Sequence, residues 1–320
     1  MNHILETILD GKKIGIAGHI RPDGDCVGAC NALYNYLTKY YPNKEITVYL
    51  EEIPESFMFL KNIHEFTTTY DDNESYDVFI SLDCGSLDRL GPAQNYFTKA
   101  KTTVNIDHHI SNTFFARNNH VIPKASSTCE ILYGIFENEK IDESVAEALY
   151  MGIAHDTGVF KHSNTSKHTM IVAGNLIEKG IPFTKLIDES FYQKTYMQNQ
   201  VLGRCLLESI LILNGRCIVS TISKRVLEFY SAKSEDLDGV IDQLRITKGV
   251  EVAVFAYEID NNIFKVSMRS NGFVDVSKIA TYFGGGGHIR AAGCTLNGNA
   301  YDVINNISHH IEVQLKDNNL

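Results

Sequence analysis

Five short clusters of acid and histidine mark this chain of 320 residues, and four of them close an apolar run. His19-Ile20-Arg21-Pro22-Asp23-Gly24-Asp25 follows Ile14-Gly15-Ile16-Ala17-Gly18. Asp83 follows Val78-Phe79-Ile80-Ser81-Leu82, and Asp107-His108-His109 follows Thr103-Val104-Asn105-Ile106. His155-Asp156 closes a helical pattern, and Gly284-Gly285-Gly286-Gly287 leads into His288 far downstream. Carboxylates and imidazoles at the ends of buried strands repel one another and lose hydration unless positive charge sits among them. Mixed oxygen and imidazole donors suit a hard divalent cation such as manganese.

Each cluster also has a plainer reading. Asp-Gly-Asp alone is a turn with an N-capping aspartate, but His19 at the strand end and the other clusters favour ligation. Asp23 and Asp25, two apart on a loop broken by Pro22 and Gly24, suit two adjacent ions. Asp83 alone is equally a cap for the next element. Asp107-His108-His109 is harder to explain by packing: one imidazole can ligate while the other reaches the substrate, and Asp107 either orients an imidazole or lines the cavity. His155 is read as packing or capping. Cys26 and Cys84 are read as small buried residues, because hard cations prefer oxygen. In Ser126-Ser127-Thr128-x-Glu130 a capping box competes with a place near the site. Two carboxylates about 4 Å apart repel by several kcal/mol at an intermediate dielectric. Two divalent ions among Asp23, Asp25, Asp83, Asp107 and Asp156 offset most of that repulsion. Such a pair matches in-line displacement at phosphorus.

The elements that must position these groups are legible as patterns. Val27, Cys30, Leu33, Tyr34 and Leu37 recur at helical spacing, Ile46 to Leu50 reads as a strand, and Ala125 to Phe136 and Glu143 to Ala154 read as helices. This alternation predicts a parallel sheet with helices on both faces, ligands lying beyond the carboxyl ends of its strands. Lys167 to Lys179 reads as a helix stopped by Gly180-Ile181-Pro182, and a further helical stretch runs from about Phe183 to Leu207. Beyond it Arg216 to Ile222, Val250 to Tyr257 and Ile263 to Met268 read as strands, with a hairpin turn at Asn261-Asn262 and a helix over Val274 to Tyr282. The expected architecture is α/β: a catalytic and metal-binding domain over residues 1–190, a helical linker over 191–205, and a smaller α+β domain with a smaller mixed sheet over 206–320. The tail from Asp317 to Leu320 is expected to fray.

The bulk properties fit a globular enzyme. No apolar stretch approaches the length of a membrane span, and the N-terminus has no secretory pattern. Seven scattered cysteines without a CxxC argue for a reducing, cytoplasmic compartment. A net charge of −10 without a basic run disfavours long duplex nucleic acid and favours a small phosphorylated substrate.

On these motifs the chain resembles the DHH/DHHA1 phosphoesterases. His19-x-x-x-Asp23-x-Asp25, Asp83, Asp107-His108-His109 and Asp156-Thr157-Gly158 match the N-terminal motifs in order. Gly284-Gly285-Gly286-Gly287-His288-x-x-Ala291-Ala292-Gly293 matches the C-terminal signature. Length and arrangement look like the bifunctional oligoribonuclease (nanoRNase) and 3′-phosphoadenosine-5′-phosphate phosphatase group, without the added domains of RecJ-type exonucleases. The resemblance implies that His19, Asp23 and Asp83 hold one cation and that Asp25, Asp83, His108 and Asp156 hold the second. Manganese is expected, with magnesium as the alternative. His109, with Asp107, would face the scissile phosphate, while Arg269, Gly286, Gly287 and His288 would bind substrate across an interdomain cleft. Short RNA oligonucleotides and small nucleotides are the expected partners, with no membrane, and a homodimer is left open. Relatives commonly carry an arginine or similar basic group after Asp156; here Lys161 or His162 would serve. The alternatives are a phosphodiesterase for linear or cyclic dinucleotides, a catalytically silent nucleotide-binding regulator, and a family II inorganic pyrophosphatase, against which the glycine signature weighs.

Overall fold

The computed structural model describes residues 3–71 and 73–317, and the chain divides into two compact units after Gln193. In the first unit, helix α1 (His3–Leu9) leads into strand β1 (Lys13–Ala17), helix α2 (Gly24–Tyr40) and strand β2 (Glu45–Tyr49). Strand β3 (Val78–Leu82), helix α3 (Gln94–Lys99), strand β4 (Thr102–Asp107) and strand β5 (Asn118–Val121) complete the sheet. Helices α4 (Thr128–Ile135), α5 (Glu143–Asp156), α6 (Lys167–Ile177) and α7 (Phe183–Ile187) follow. The five strands run parallel in the order β2-β1-β3-β4-β5.

Both faces of this sheet are covered, as continuous apolar strands require. Ile14, Ile16, Ile80 and Ile106 pack with Leu33, Leu37, Leu149 and Ile153 of α2 and α5. Phe79 points to the other face, among Tyr49, Tyr76, Tyr96 and Phe97. Each fully buried aliphatic side chain contributes about 1.5–3 kcal/mol. Helix α2 is buried almost all round, so it lies inside its layer. The two helices cross closely at Gly28, where a Cβ would stand 2.5 Å from the Ala148 carbonyl oxygen.

The second unit begins with helix α8 (Tyr196–Leu207) and strands β6 (Ile210–Ile212) and β7 (Cys217–Ile222). Helices α9 (Lys224–Tyr230) and α10 (Val240–Arg245) precede β8 (Val252–Asp260) and β9 (Ile263–Ser270), joined by the turn at Asn261-Asn262. Helix α11 (Val276–Tyr282), β10 (Gly286–His288), β11 (Ala291–Asn297) and helix α12 (Ala300–Asp317) complete it. The order is β10-β11-β9-β8-β7-β6, antiparallel except for the parallel pair β7–β8. Helices α11 and α12 cover one face through Ile279, Val303 and Ile307, and α8, α9 and α10 pack against β7 and β8 on the other.

Two expectations need correction. The stretch from 183 to 207 is not one helix: α7 runs into a π-type turn over Asp188–Tyr192, the chain extends, and Thr195 caps α8 anew. The mixed sheet is not the smaller one, since it has six strands against five. The glycine run is itself part of that sheet, because β10 and β11 form a hairpin. Asp317 ends α12, and the rest of the tail lies outside the described residues. All seven cysteines are buried and unpaired, and no helix among the described residues is long and apolar enough to cross a membrane.

Candidate metal and phosphoester site

The carboxyl ends of β1, β3 and β4, the start of α2 and the end of α5 bring the first four clusters together. Asp83 sits at the centre. It leaves β3 in the left-handed region at φ 58°, a strained position for a side-chain-bearing residue and one typical of functional sites. Its Oδ2 lies 3.5 Å from His19 Nε2, and its Oδ1 lies 3.5 Å from His108 Nε2. His19 Nε2 is also 3.6 Å from Asp23 Oδ2, and His108 Nε2 is 3.4 Å from Asp156 Oδ2. These gaps are long for hydrogen bonds. Two atoms that each lie about 2.1 Å from one ion stand about 3.0–3.4 Å apart at octahedral or tetrahedral angles. The spacing and the donor chemistry therefore fit two cations on either side of Asp83.

Local folding explains how each group is held. Asp23 caps α2, its Oδ1 accepting from Asp25 N and Cys26 N at 3.1 Å each, while its Oδ2 faces His19. Asp23 Oδ1 fulfils the turn reading, and Oδ2 stands where the ligand reading would need it. Asp25 is almost wholly buried, and its carboxylate accepts from Thr128 N at 2.6 Å and Cys129 N at 3.0 Å, at the start of α4. The Thr128 hydroxyl donates to Asp83 Oδ1 at 3.0 Å. Ser127 caps the same helix by accepting from Glu130 N, whereas Glu130 binds Ser126 and Thr169. The segment is a helix cap and a wall of the site at once.

Charge in the cluster is unbalanced. Burial pushes the Asp25 carboxyl well up, and Asp83 and Asp156 push it further. Burial also lifts Asp156, to about 6, with His108 working against it and Asp83 and Asp23 adding to it. Desolvation opposes charge on His19, yet its contacts with Asp23 and Asp83 outweigh it and raise the imidazole. Asp23 is held at about 2, because its contact with His19 and its capping bonds overcome burial. Asp25, Asp83 and Asp156 crowd negative charge into a buried pocket, an arrangement that divalent cations would stabilise.

Asp107 is fully buried and turned toward His109. Its Oδ1 lies 2.7 Å from His109 Nδ1, and its Oδ2 accepts from Asn112 Nδ2 at 2.5 Å. Asn112 also bonds Asn105 Oδ1 and the Cys84 carbonyl oxygen, so the pair rests on a buried polar network. The bond to Asp107 raises the pKa of His109 against desolvation, and the half-exposed ring keeps Nε2 available. Between the two readings of Asp107, orienting an imidazole describes its contacts.

His155 packs edge-on against Phe57 and Phe191 and bonds Ser190 Oγ at 3.0 Å, and burial holds it neutral with a pKa of about 4. Cys26 Sγ accepts from His19 N at 3.2 Å beneath the loop. Lys161 and His162 are exposed, and His162 Nδ1 lies 3.4 Å from the Asp156 carbonyl oxygen. Arg89, which the motifs do not single out, brings Nη2 to 3.0 Å from His19 Nδ1. His19 Nδ1 also lies 2.9 Å from the Ile20 carbonyl oxygen, so it donates to that oxygen when protonated and accepts from Arg89 when not.

In the second unit, His288 pairs with Ala291 and Ala291 with Arg269, so the three lie in one row across β10, β11 and β9. Gly286, Gly293 and Ser267 form the next row. The intervening row, Gly287, Ala292 and Met268, turns to the opposite face, where Ala292 and Met268 join the core. Arg269 and His288 therefore flank a floor of small residues. Gly287 is required by close approach to β11, since a Cβ would lie 2.5 Å from the Ala291 carbonyl oxygen, whereas Gly286 faces open space. Arg269 also borders a cleft of about 440 Å³ shared with Tyr257, Lys265, Ser267 and Asp242.

Residues 13–153 match the DHH family, N-terminal domain, and residues 214–317 match the DHHA1 domain. Relatives include the bifunctional oligoribonuclease and PAP phosphatase NrnA of Thermus thermophilus, 28% identical over 89% of this chain and 84% of that protein. The protein of the same name from Bacillus subtilis is 26% identical over 92% of each. An exopolyphosphatase-related protein from Bacteroides fragilis shares the fold, with a TM-score of 0.85 at 23% identity, covering 97% of this chain and 94% of that one. The chain belongs to the DHH family, carries a DHHA1 domain, and is a hydrolase of the DHH phosphoesterase kind.

Proposed function

We propose that this protein is a two-cation phosphoesterase that hydrolyses short oligoribonucleotides to nucleoside monophosphates and removes phosphate from 3′-phosphoadenosine-5′-phosphate. One observation carries the reading: the two oxygens of Asp83 face two separate imidazoles, His19 and His108, at 3.5 Å each. The names of the relatives from Thermus thermophilus and Bacillus subtilis supply the substrate class.

His19, Asp23 and Asp83 would hold one cation, and Asp25, Asp83, His108 and Asp156 the other, with manganese favoured over magnesium. Such ions activate water and neutralise phosphoryl charge. The chain's own residues do the rest. Asp107 accepts the His109 Nδ1 proton and fixes the ring, so Nε2 is presented to the phosphoryl group and can give a proton to the leaving oxygen. Arg269 and His288 grip a second phosphate over the bare strands of Gly286 and Gly293, where side chains leave room for an anion.

A substrate panel tests this: pApA, pGpG, cyclic di-AMP and 3′-phosphoadenosine-5′-phosphate, each with manganese, magnesium or chelator. Turnover of the linear dinucleotides and of the bisphosphate, lost with chelator, is expected. Turnover of the cyclic dinucleotide alone, or binding of all four without hydrolysis, would refute the reading.

A further inference from the structure

We propose that Thr128 is the positioning residue of the shared carboxylate: its hydroxyl fixes the rotation of Asp83, while its backbone N–H anchors Asp25. The inference rests on the two-cation reading above and gives a specific role to one residue of the Ser126-Ser127-Thr128-x-Glu130 segment.

The carboxylate of Asp83 can serve two pockets in only one rotational setting, with Oδ2 toward His19 and Oδ1 toward His108. Rotation about the bond to a carboxylate is soft, because the torsion between tetrahedral and planar carbon has broad minima. Something must hold it. Thr128 Oγ1 donates to Asp83 Oδ1 at 3.0 Å, and both side chains are buried. A carboxylate oxygen has two lone-pair directions, so Oδ1 can accept this bond and still face the second pocket.

The hydroxyl is not explained by the needs of the helix. Ser127 is the N-cap of α4 and accepts from Glu130 N at 3.0 Å, so the capping role is filled. Thr128 is the next residue, and its N–H, which has no partner within the helix, goes to Asp25 Oδ2 at 2.6 Å. One residue therefore touches two carboxylates that are 58 positions apart, since 83 − 25 = 58. The two contacts set the spacing between the first-motif acid and the strand-end acid. Partners of this kind around metal ligands typically change affinity about 10–100-fold when lost.

The test is a manganese titration of the metal-stripped full chain, read as free manganese by electron paramagnetic resonance, so no substrate is needed. Thr128→Val keeps the branched shape and removes the donor; Thr128→Ser keeps the donor. The expected result is affinity about 10–100-fold weaker for Thr128→Val, and near that of the parent protein for Thr128→Ser. Equal affinity and stoichiometry for Thr128→Val would overturn the proposal, as would equal impairment of the Ser and Val variants. If the Val variant does not fold, Thr128→Cys replaces it as the weak-donor variant of similar size, compared in the same way with Thr128→Ser. Asp83→Ala separates the two levels of inference. If the parent protein binds no pair of ions, the two-cation reading fails; if Asp83→Ala still binds two ions at parental affinity, Asp83 is not their shared ligand and the premise fails; if it binds none while Thr128→Val is unaffected, only the role of Thr128 fails.

Discussion

Asp107 and His109 form a buried carboxylate–imidazole pair, with 2.7 Å between Oδ1 and Nδ1. The pair fixes which ring nitrogen carries the proton toward the protein and which faces the site. Asp107→Asn should preserve the fold, since Asn112 can still bond the remaining oxygen, but it offers His109 a poor acceptor. The expected loss in kcat is about 10²–10⁴-fold with little change in KM. Steady-state kinetics with saturating manganese decide it, and an unchanged kcat would remove His109 from proton transfer.

Arg269 and His288 flank Ala291 in one row of the mixed sheet, and their replacement should act on binding. Arg269→Ala is expected to raise KM for a 5′-phosphorylated dinucleotide by about 10–100-fold while leaving kcat within a few-fold. His288→Ala should do the same more weakly. The comparison substrate is the same dinucleotide without its terminal phosphate. If both substrates are affected equally, these residues do not read the phosphate.

Gly152 lies where α5 passes the start of α4. A Cβ there would stand 2.3 Å from Cys129 Sγ and 2.9 Å from Asp25 Oδ1. Gly152→Ala should therefore destabilise the protein by about 1–3 kcal/mol through overpacking and should also weaken manganese binding by displacing Asp25. Adding Cys129→Ala should recover part of the stability. Calorimetry of the single and double variants measures this, and a stable single variant with unaltered manganese affinity would contradict the packing shown.

Asp77 ties the starts of three strands together. Its carboxylate accepts from Lys12 N at 3.1 Å, Lys13 N at 2.9 Å and Lys101 Nζ at 2.7 Å. The bond from Lys101 first, and those from the backbone of Lys13 and Lys12, hold its pKa down to about 2 from 3.8. A carboxyl lowered on folding stabilises the folded state above its unfolded value, and that contribution fades as pH falls from about 4 to about 2. Asp77→Asn should lower stability at neutral pH by about 1–3 kcal/mol. It should also flatten the pH dependence of unfolding in that acid window. Parallel curves for the two proteins between pH 4 and pH 2 would show that the pairing contributes nothing.

Much of the fold and of the candidate site was legible because chemistry and pattern coincide at strand ends. His19, Asp83 and Asp107 each close a run of alternating or continuous apolar residues, and a parallel sheet gathers such ends on one side. What stayed hidden depends on contacts between distant segments. The bond between Thr128 and Asp25 joins residues 103 positions apart, and nothing in the local pattern distinguishes it from a helix cap. Asn112 looks like a loop residue until Asp107 and Asn105 converge on it. The strands β10 and β11 were masked by glycines, whose low strand preference is overridden by pairing. The break between α7 and α8 carries neither glycine nor proline, so helical spacing read straight through it.

The groups that surround Asp83 come from positions 19 to 156, drawn from separate loops rather than one contiguous stretch. A nascent chain leaving the ribosome therefore cannot offer the full set until Asp156 has emerged and α5 has docked. Before then only fragments of the set exist, each of which would hold a divalent cation weakly. Loading with metal would thus report on synthesis itself, completing only after almost half of the polypeptide has been made and packed.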